Sequence, residues 1–172
     1  MEKQALQDLI RSIPDFPKKG ILFRDITPLL ADGQAFQSAI SILAGVCPRG
    51  TEMIAGIESR GFIFGAAVAQ TLGVGFVPVR KTGKLPYRTE SVTYDLEYGT
   101  DTLEVHEDAF GKRKKVVLID DLLATGGTAS ATCRLLEKVG GVVLKAAFLI
   151  ELAGLKGREK LAGRDMFSLI VY

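Results

Sequence analysis

The 172-residue sequence predicts an α/β fold, a parallel β-sheet flanked by helices. Three observations carry this. Short runs of near-continuous apolar residues, MIAGI (53–57), GFVPV (75–79), VVLI (116–119) and VVLKAAFLI (142–150), read as strands buried on both faces. Segments rich in small and apolar residues lie between them, FIFGAAVAQTL (62–72) and ASATCRLLEKV (129–139), and are long enough for crossover helices. The length suits one domain, which buries roughly 70% of the surface its unfolded chain exposes and folds without metal or disulfide.

Taken in order, Leu6, Leu9, Ile10 and Ile13 recur at helical spacing and predict a short amphipathic helix. Pro14, Pro17 and Gly20 end it, so PDFPKKGILFRDI should run irregular or extended. Phe36, Ala39, Ile40 and Leu43 repeat the helical spacing before Pro48. The strand and helix segments above then alternate, with Gly140 and Gly141 closing the second helix and 167–172 read as a last strand. An insert over 81–108 interrupts this rhythm. Val92, Tyr94, Leu96 and Tyr98 alternate with polar residues, GTDT follows, and LEV resumes the extended pattern, which is a β-hairpin signal. Gly83, Pro86 and the polar residues up to Ser91 offer little core, so the insert reads as a surface loop on a hairpin base or as a mobile flap.

Several function classes fall away. A net charge of +2 gives no ground for nucleic-acid binding, and any anion site must be local. The segment MEKQALQDLIRSI has acids and no long apolar run, which argues against a signal peptide or membrane span and for a cytoplasmic protein. Cys47 and Cys133 lack metal-ligand or CxxC spacing and read as reduced core cysteines. His106, the only histidine, reads as a surface residue of the hairpin.

Ligands of open parallel sheets bind outside the carboxyl ends of the strands. Three unusual segments fall there: ESRG (58–61), RKTGK (80–84) and DDLLATGGT (120–128). Asp120 and Asp121, past a buried strand, are acceptor-only groups suited to hydroxyl donors or a hydrated cation. ATGGT offers consecutive backbone N–H groups with little side-chain bulk at the positive end of the helix that follows, a phosphate cradle. It lacks the lysine and spacing of a nucleoside-triphosphate loop. Acids for hydroxyls beside a cradle for one phosphate describe a sugar monophosphate.

On DFPKKGILFRDITPLL, GIESRGFIFG, RKTGKLP, YDLEYG and IDDLLATGGT, the chain resembles the type I phosphoribosyltransferases along essentially its whole length, most nearly their adenine-specific branch. The resemblance implies that family's fold, a parallel sheet with a small hood over about 1–33 and a flexible β-hairpin flap over about 81–108. It implies transfer of the 5-phosphoribosyl group from phosphoribosyl pyrophosphate (PRPP) to N9 of adenine in purine salvage, giving AMP and pyrophosphate. Magnesium would arrive with PRPP, held largely by substrate oxygens and water. A homodimer is implied too. By resemblance Asp120 and Asp121 take the ribose hydroxyls, and Ala124, Thr125, Gly126, Gly127 and Thr128 the 5-phosphate. Glu58, Ser59, Arg60 and Gly61 form a pyrophosphate loop, often with a non-proline cis peptide in the family, and Arg80, Lys81 and Lys84 add cations. Glu97 is the general acid/base, with Tyr98 beside it on the flap. Phe23 stacks on adenine, the Arg24 backbone reads its edge, and Leu152 covers its other face. Two other readings remain open: a phosphoribosyltransferase for hypoxanthine, guanine or xanthine, and a non-catalytic PRPP sensor that binds nucleic acid.

Overall fold

The computed structural model describes residues 1–95 and 99–172. The amino-terminal part holds α1 (Lys3–Asp8), the antiparallel pair β1 (Arg11–Pro14) and β2 (Leu22–Asp25), then α2 (Thr27–Ala31) and α3 (Gly33–Gly45). The Asp32 carboxylate caps α3 by accepting from the Gln34 and Ala35 N–H groups at 3.0 and 2.9 Å. There follow β3 (Met53–Ile57), α4 (Arg60–Leu72), β4 (Gly75–Lys81), β5 (Thr89–Asp95), β6 (Thr100–His106), β7 (Lys114–Leu123), α5 (Gly127–Lys138) and β8 (Gly141–Glu151). Two short 3-10 helices, Ala153–Leu155 and Gly157–Leu161, lead to β9 (Met166–Val171).

The main sheet has seven strands in the order β5-β6-β4-β3-β7-β8-β9. From β4 to β9 every pairing is parallel, whereas β6 joins β4 antiparallel through only Arg80↔Glu104 and Lys81↔Leu103. Alternate strand residues face opposite cores. Ile54, Val117, Ile119 and Leu149 pack with Leu43 of α3 and Phe64 of α4. Ala55, Ile57, Val116, Leu118 and Phe148 pack with Leu135 and Leu136 of α5 and with Tyr94, Leu103 and Val105 of the β5–β6 hairpin. Both faces are covered, which is why these strands read as unbroken apolar runs. The turns after β3, β4, β7 and β8 therefore share one edge.

Three expectations change. The amino-terminal helix stops at Asp8, and Ile13 lies in β1 opposite Phe23. Strand pairing with 22–25 there outweighs helical spacing. The strand expected over 116–119 runs from Lys114 to Leu123, with Leu122↔Ile150 and Leu123↔Glu151 paired to β8. Asp120 and Asp121 thus belong to the strand rather than follow it. His106 is on the hairpin but half-buried, its Nε2 without a partner among the described residues and its ring 6.2 Å from that of Tyr87. Both cysteines are free, and burial pushes each thiol up to about 11. Among the described residues no helix is long and apolar enough to cross a membrane.

Candidate active site

The segment after β3 packs tightly against β7. The Glu58–Ser59 peptide is cis, and α4 starts at once with Arg60. A Cβ on Gly61 would lie 2.6 Å from Asp120 Oδ1 and 3.2 Å from the Ile119 carbonyl. Only glycine lets the amino-terminal turn of α4 sit against the end of β7. Arg60 then bridges the same gap, its Nε 2.9 Å from Asp121 Oδ2.

Asp120 and Asp121 occupy this edge with few protein donors. The Asp121 N–H donates to Asp120 Oδ1 at 2.9 Å, and the Asp121 side chain is 8% exposed. Burial, then the neighbouring Asp121 charge, raise the Asp120 carboxyl well above the usual carboxylate range. Burial raises Asp121 too, with the Arg60 guanidinium pulling the other way. Such a pair gains from any donor a ligand brings.

Ala124–Gly126 turn from β7 into α5, with Gly126 in the left-handed region at φ +78°. A side chain on Gly126 would strike the Gly157 carbonyl, and one on Gly157 would strike the Ala124 carbonyl. The Gly157–Leu161 turn thus backs the glycine loop, and Arg158 anchors that turn through two 2.7 Å bonds to Glu151. No periodicity announced this. The Gly157 and Gly126 pairing is visible only once the loops are folded.

On the other side, Glu58 (side chain 5% exposed) gathers two of the expected diphosphate cations. Arg80 Nε lies 2.8 Å from Glu58 Oε2 and Lys84 Nζ 3.1 Å from Oε1, while Arg80 also donates to the Lys84 carbonyl at 3.1 Å. Burial alone would raise Glu58; hydrogen bonds from Arg80, Lys84 and the Lys81 N–H outweigh it and hold the carboxyl below its ordinary value. Lys81 itself faces the hairpin, its Nζ 3.0 Å from Asp101 Oδ2.

Along β2, successive side chains diverge. Phe23 packs edge-on against Phe16 at 5.1 Å, and the Arg60 guanidinium lies 5.2 Å from its ring centroid. Arg24 points to a cavity of about 450 Å³ that it lines with Leu22, Leu152 and Tyr172 among others; Phe23 is outside that lining. The Arg24 guanidinium stacks 3.6 Å above the Tyr172 ring and donates to Ser12 Oγ at 2.5 Å. Tyr172 was not singled out in the sequence, where nothing but its place near the last strand marked it. The structure brings Phe23, Arg60, Gly61, Asp120 and Asp121 together, and Arg24 with Leu152. Ser59 lies exposed at the start of α4. Glu97 and Tyr98 lie outside the described residues. Among the described residues no group of three or more His, Cys, Asp or Glu is placed to hold a metal by itself.

A site at the strand ends that joins a pair of acids, a glycine-rich loop and clustered cations defines a class, and residues 30–169 match the family model of the phosphoribosyl transferase domain. The chain belongs to the adenine phosphoribosyltransferase family. It is 55% identical to the adenine phosphoribosyltransferase of Clostridium kluyveri over 97% of this chain and 98% of that one. The crystal structure of the adenine phosphoribosyltransferase from Thermoanaerobacter pseudethanolicus superposes with a TM-score of 0.96 at 54% identity, covering 99% of this chain and 100% of that one. The Saccharomyces cerevisiae enzyme, solved with adenine and an imino-altritol bisphosphate, has a TM-score of 0.91 at 41% identity, with 97% of each chain covered.

Proposed function

We infer that this chain transfers the 5-phosphoribosyl group of PRPP to N9 of adenine, releasing pyrophosphate and forming AMP. The observation that carries the reading is the line Phe23–Arg60–Asp121, with separations of 5.2 and 2.9 Å. It sets an aromatic face for a base, a cation for a leaving diphosphate and an acceptor for ribose hydroxyls side by side. Those are the three groups that adenine and PRPP require. The adenine bound in the S. cerevisiae relative supports the choice of base.

In this reading Asp120 and Asp121 accept from the 2- and 3-hydroxyls, and 124–128 wrap the 5-phosphate with backbone N–H groups. Ser59 and Gly61 offer amides, and Arg60, Arg80 and Lys84 charge, to the diphosphate, with Lys81 at its edge. As the C1–O bond to the diphosphate breaks, positive charge spreads over C1 and the ring oxygen, and N9 attacks C1. The protein's work is positioning and charge stabilisation. Glu97 takes the N9 proton, and Tyr98 helps cover the site from the flap. Arg24 presents its backbone to the purine edge, Leu152 closes the slot, and unpaired backbone groups penalise an oxo-purine. The segment of about 1–33 serves as the hood, and the insert over about 81–108 as the flap.

Magnesium fits this donor set as an ion carried on diphosphate oxygens and water, which are the ligands it prefers. Bound there, it would neutralise charge on the leaving group. We place the enzyme in the cytoplasm as a homodimer. The test is AMP formation from adenine, PRPP and magnesium, with guanine, hypoxanthine and xanthine in parallel. Adenine is expected to be the accepted base. Turnover of guanine in place of adenine would overturn the reading.

A further inference from the structure

The glycine loop that turns β7 into α5 carries no cation of its own. Residues 124–128 are ATGGT, and the charged groups beside them at the end of β7 are Asp120 and Asp121. Arg60 pairs with Asp121, and Arg80 and Lys84 pair with Glu58, all three at the ends of β3 and β4. One lysine faces the loop from a different element. The turn Gly157–Leu161 is fixed in place: Gly157 packs against Gly126 and the Ala124 carbonyl, Arg158 bonds Glu151, and Leu161 is buried. Lys160 projects from this turn, exposed, and among the described residues its ammonium makes no ion pair or hydrogen bond. Its Nζ lies 3.7 Å from where a Cβ on Gly127 would be.

Gly127 is the first residue of α5. In a helix the Cα–Cβ bond leans toward the amino terminus, the end at which the first N–H groups lack helical partners. The space that a Gly127 side chain would take is therefore beside those N–H groups, and Lys160 borders it. A Cα–Cβ bond is about 1.5 Å, which puts the ammonium within about 5 Å of the Gly127 Cα. Donors that close can share one phosphate, whose oxygens each accept at about 2.8 Å. A cavity of about 420 Å³ takes in Lys160, Gly127, Ser130 and Arg134 and, from β5, Thr93 to Asp95. Arg134 stands two turns further on, about 10 Å along the helix. Its guanidinium donates to Ser130 Oγ at 3.3 Å. We propose that Lys160 is a binding residue for the 5-phosphate, supplying through its ammonium the positive charge that 124–128 lack. The N–H groups fix the phosphate's place, and Lys160 offsets its charge. The inference rests on the reading of 124–128 as the 5-phosphate site.

The probe is ribose 5-phosphate, titrated calorimetrically into the full chain, with pyrophosphate titrated alongside. Lys160→Met keeps the stem and removes the charge, so affinity for ribose 5-phosphate should fall about tenfold, the low end for a bond to a charged group because the lysine is exposed. Pyrophosphate, which the proposed function places at Arg60, Arg80 and Lys84, should bind as before. Arg134→Met removes the other cation of the cavity and, acting only through screened distance, should change ribose 5-phosphate affinity by less than about twofold. Both side chains can be replaced without touching the contacts of Gly157, Arg158 and Leu161 that hold the turn. Equal binding by Lys160→Met and the parent, or an equal loss in Arg134→Met, would overturn the proposal while leaving the phosphate site standing. A matching loss of pyrophosphate binding would make the effect a general one and overturn it too. No binding of ribose 5-phosphate to the unmutated chain would overturn both the proposal and the phosphate site.

Discussion

Asp120 and Glu58 are two part-buried carboxylates on and just past neighbouring strands, yet their carboxyls are shifted to opposite sides of the ordinary range. Glu58 is met by Arg80 and Lys84 at 2.8 and 3.1 Å, and these bonds override its burial. Asp120 meets one N–H and a like charge, and it is raised. The difference teaches what each region is for. The Glu58 region is complete without ligand and holds two cations in place. The Asp120 region has one protein donor, and in the proposed reading a ribose supplies the others. Binding sites commonly hold such unsatisfied groups at a cost to the free fold.

The largest effect should come from neither acid. If both only position the substrate, the proton is handled by a third carboxylate, and Glu97→Gln should lower kcat by about 10²–10⁴-fold with PRPP affinity nearly intact. Near-normal turnover would remove Glu97 from the chemistry and return that role to the strand-end acids. Next is Asp120→Asn, which loses a charge-assisted bond to a hydroxyl and should weaken PRPP binding about 10–10²-fold in a binding titration. It should also melt higher. A raised carboxyl makes the folded state bind its proton more tightly, so stability falls as pH rises from the ordinary carboxylate value through the raised one. The variant's advantage should grow as pH rises above the ordinary carboxylate value, about 2–4 °C in Tm for each kcal/mol relieved, and vanish in acid.

Glu58→Gln should do the reverse. A lowered carboxyl contributes stability above its ordinary value and loses it as pH falls through the lowered one. At neutral pH the variant should cost about 1–2 kcal/mol in denaturant unfolding, discounted because Arg80 and Lys84 are 34% and 50% exposed. A variant as stable as the parent would show that the Glu58 region is no more complete than its neighbour. The smallest effect tests the stack behind β2. Tyr172→Leu should raise the KM for adenine about two- to fivefold through Arg24, and Tyr172→Phe should restore it, a contribution of the size expected of a cation–π pair.

The sheet was legible because buried parallel strands are apolar without interruption, and Ile57, Val79 and Ile119 end where that run ends. The extension of β7 through Asp120 and Asp121 was not, since two acids carry no strand signal and only pairing with β8 keeps them extended. β1 was hidden for a related reason: Ile13 satisfies helical spacing as well as a strand register opposite Phe23. At the site, ESRG, RKTGK and DDLLATGGT could be placed from chain order, because the fold sends each parallel strand's end to one edge. That Lys81 turns to Asp101 while Lys84 turns to Glu58 depends on rotamers and a two-residue β4–β6 pairing, to which chain order is blind. The backing of Gly126 by Gly157 is likewise a contact between distant loops.

The Asp120 region is tested most directly by the carboxyl-carbon NMR titration of Asp120, in the free protein and with PRPP and magnesium bound. Free, Asp120 should titrate above the usual carboxylate range. Bound ribose hydroxyls donate to the charged form, so the midpoint should fall. A midpoint in the ordinary range that PRPP leaves unmoved would contradict the ribose clamp.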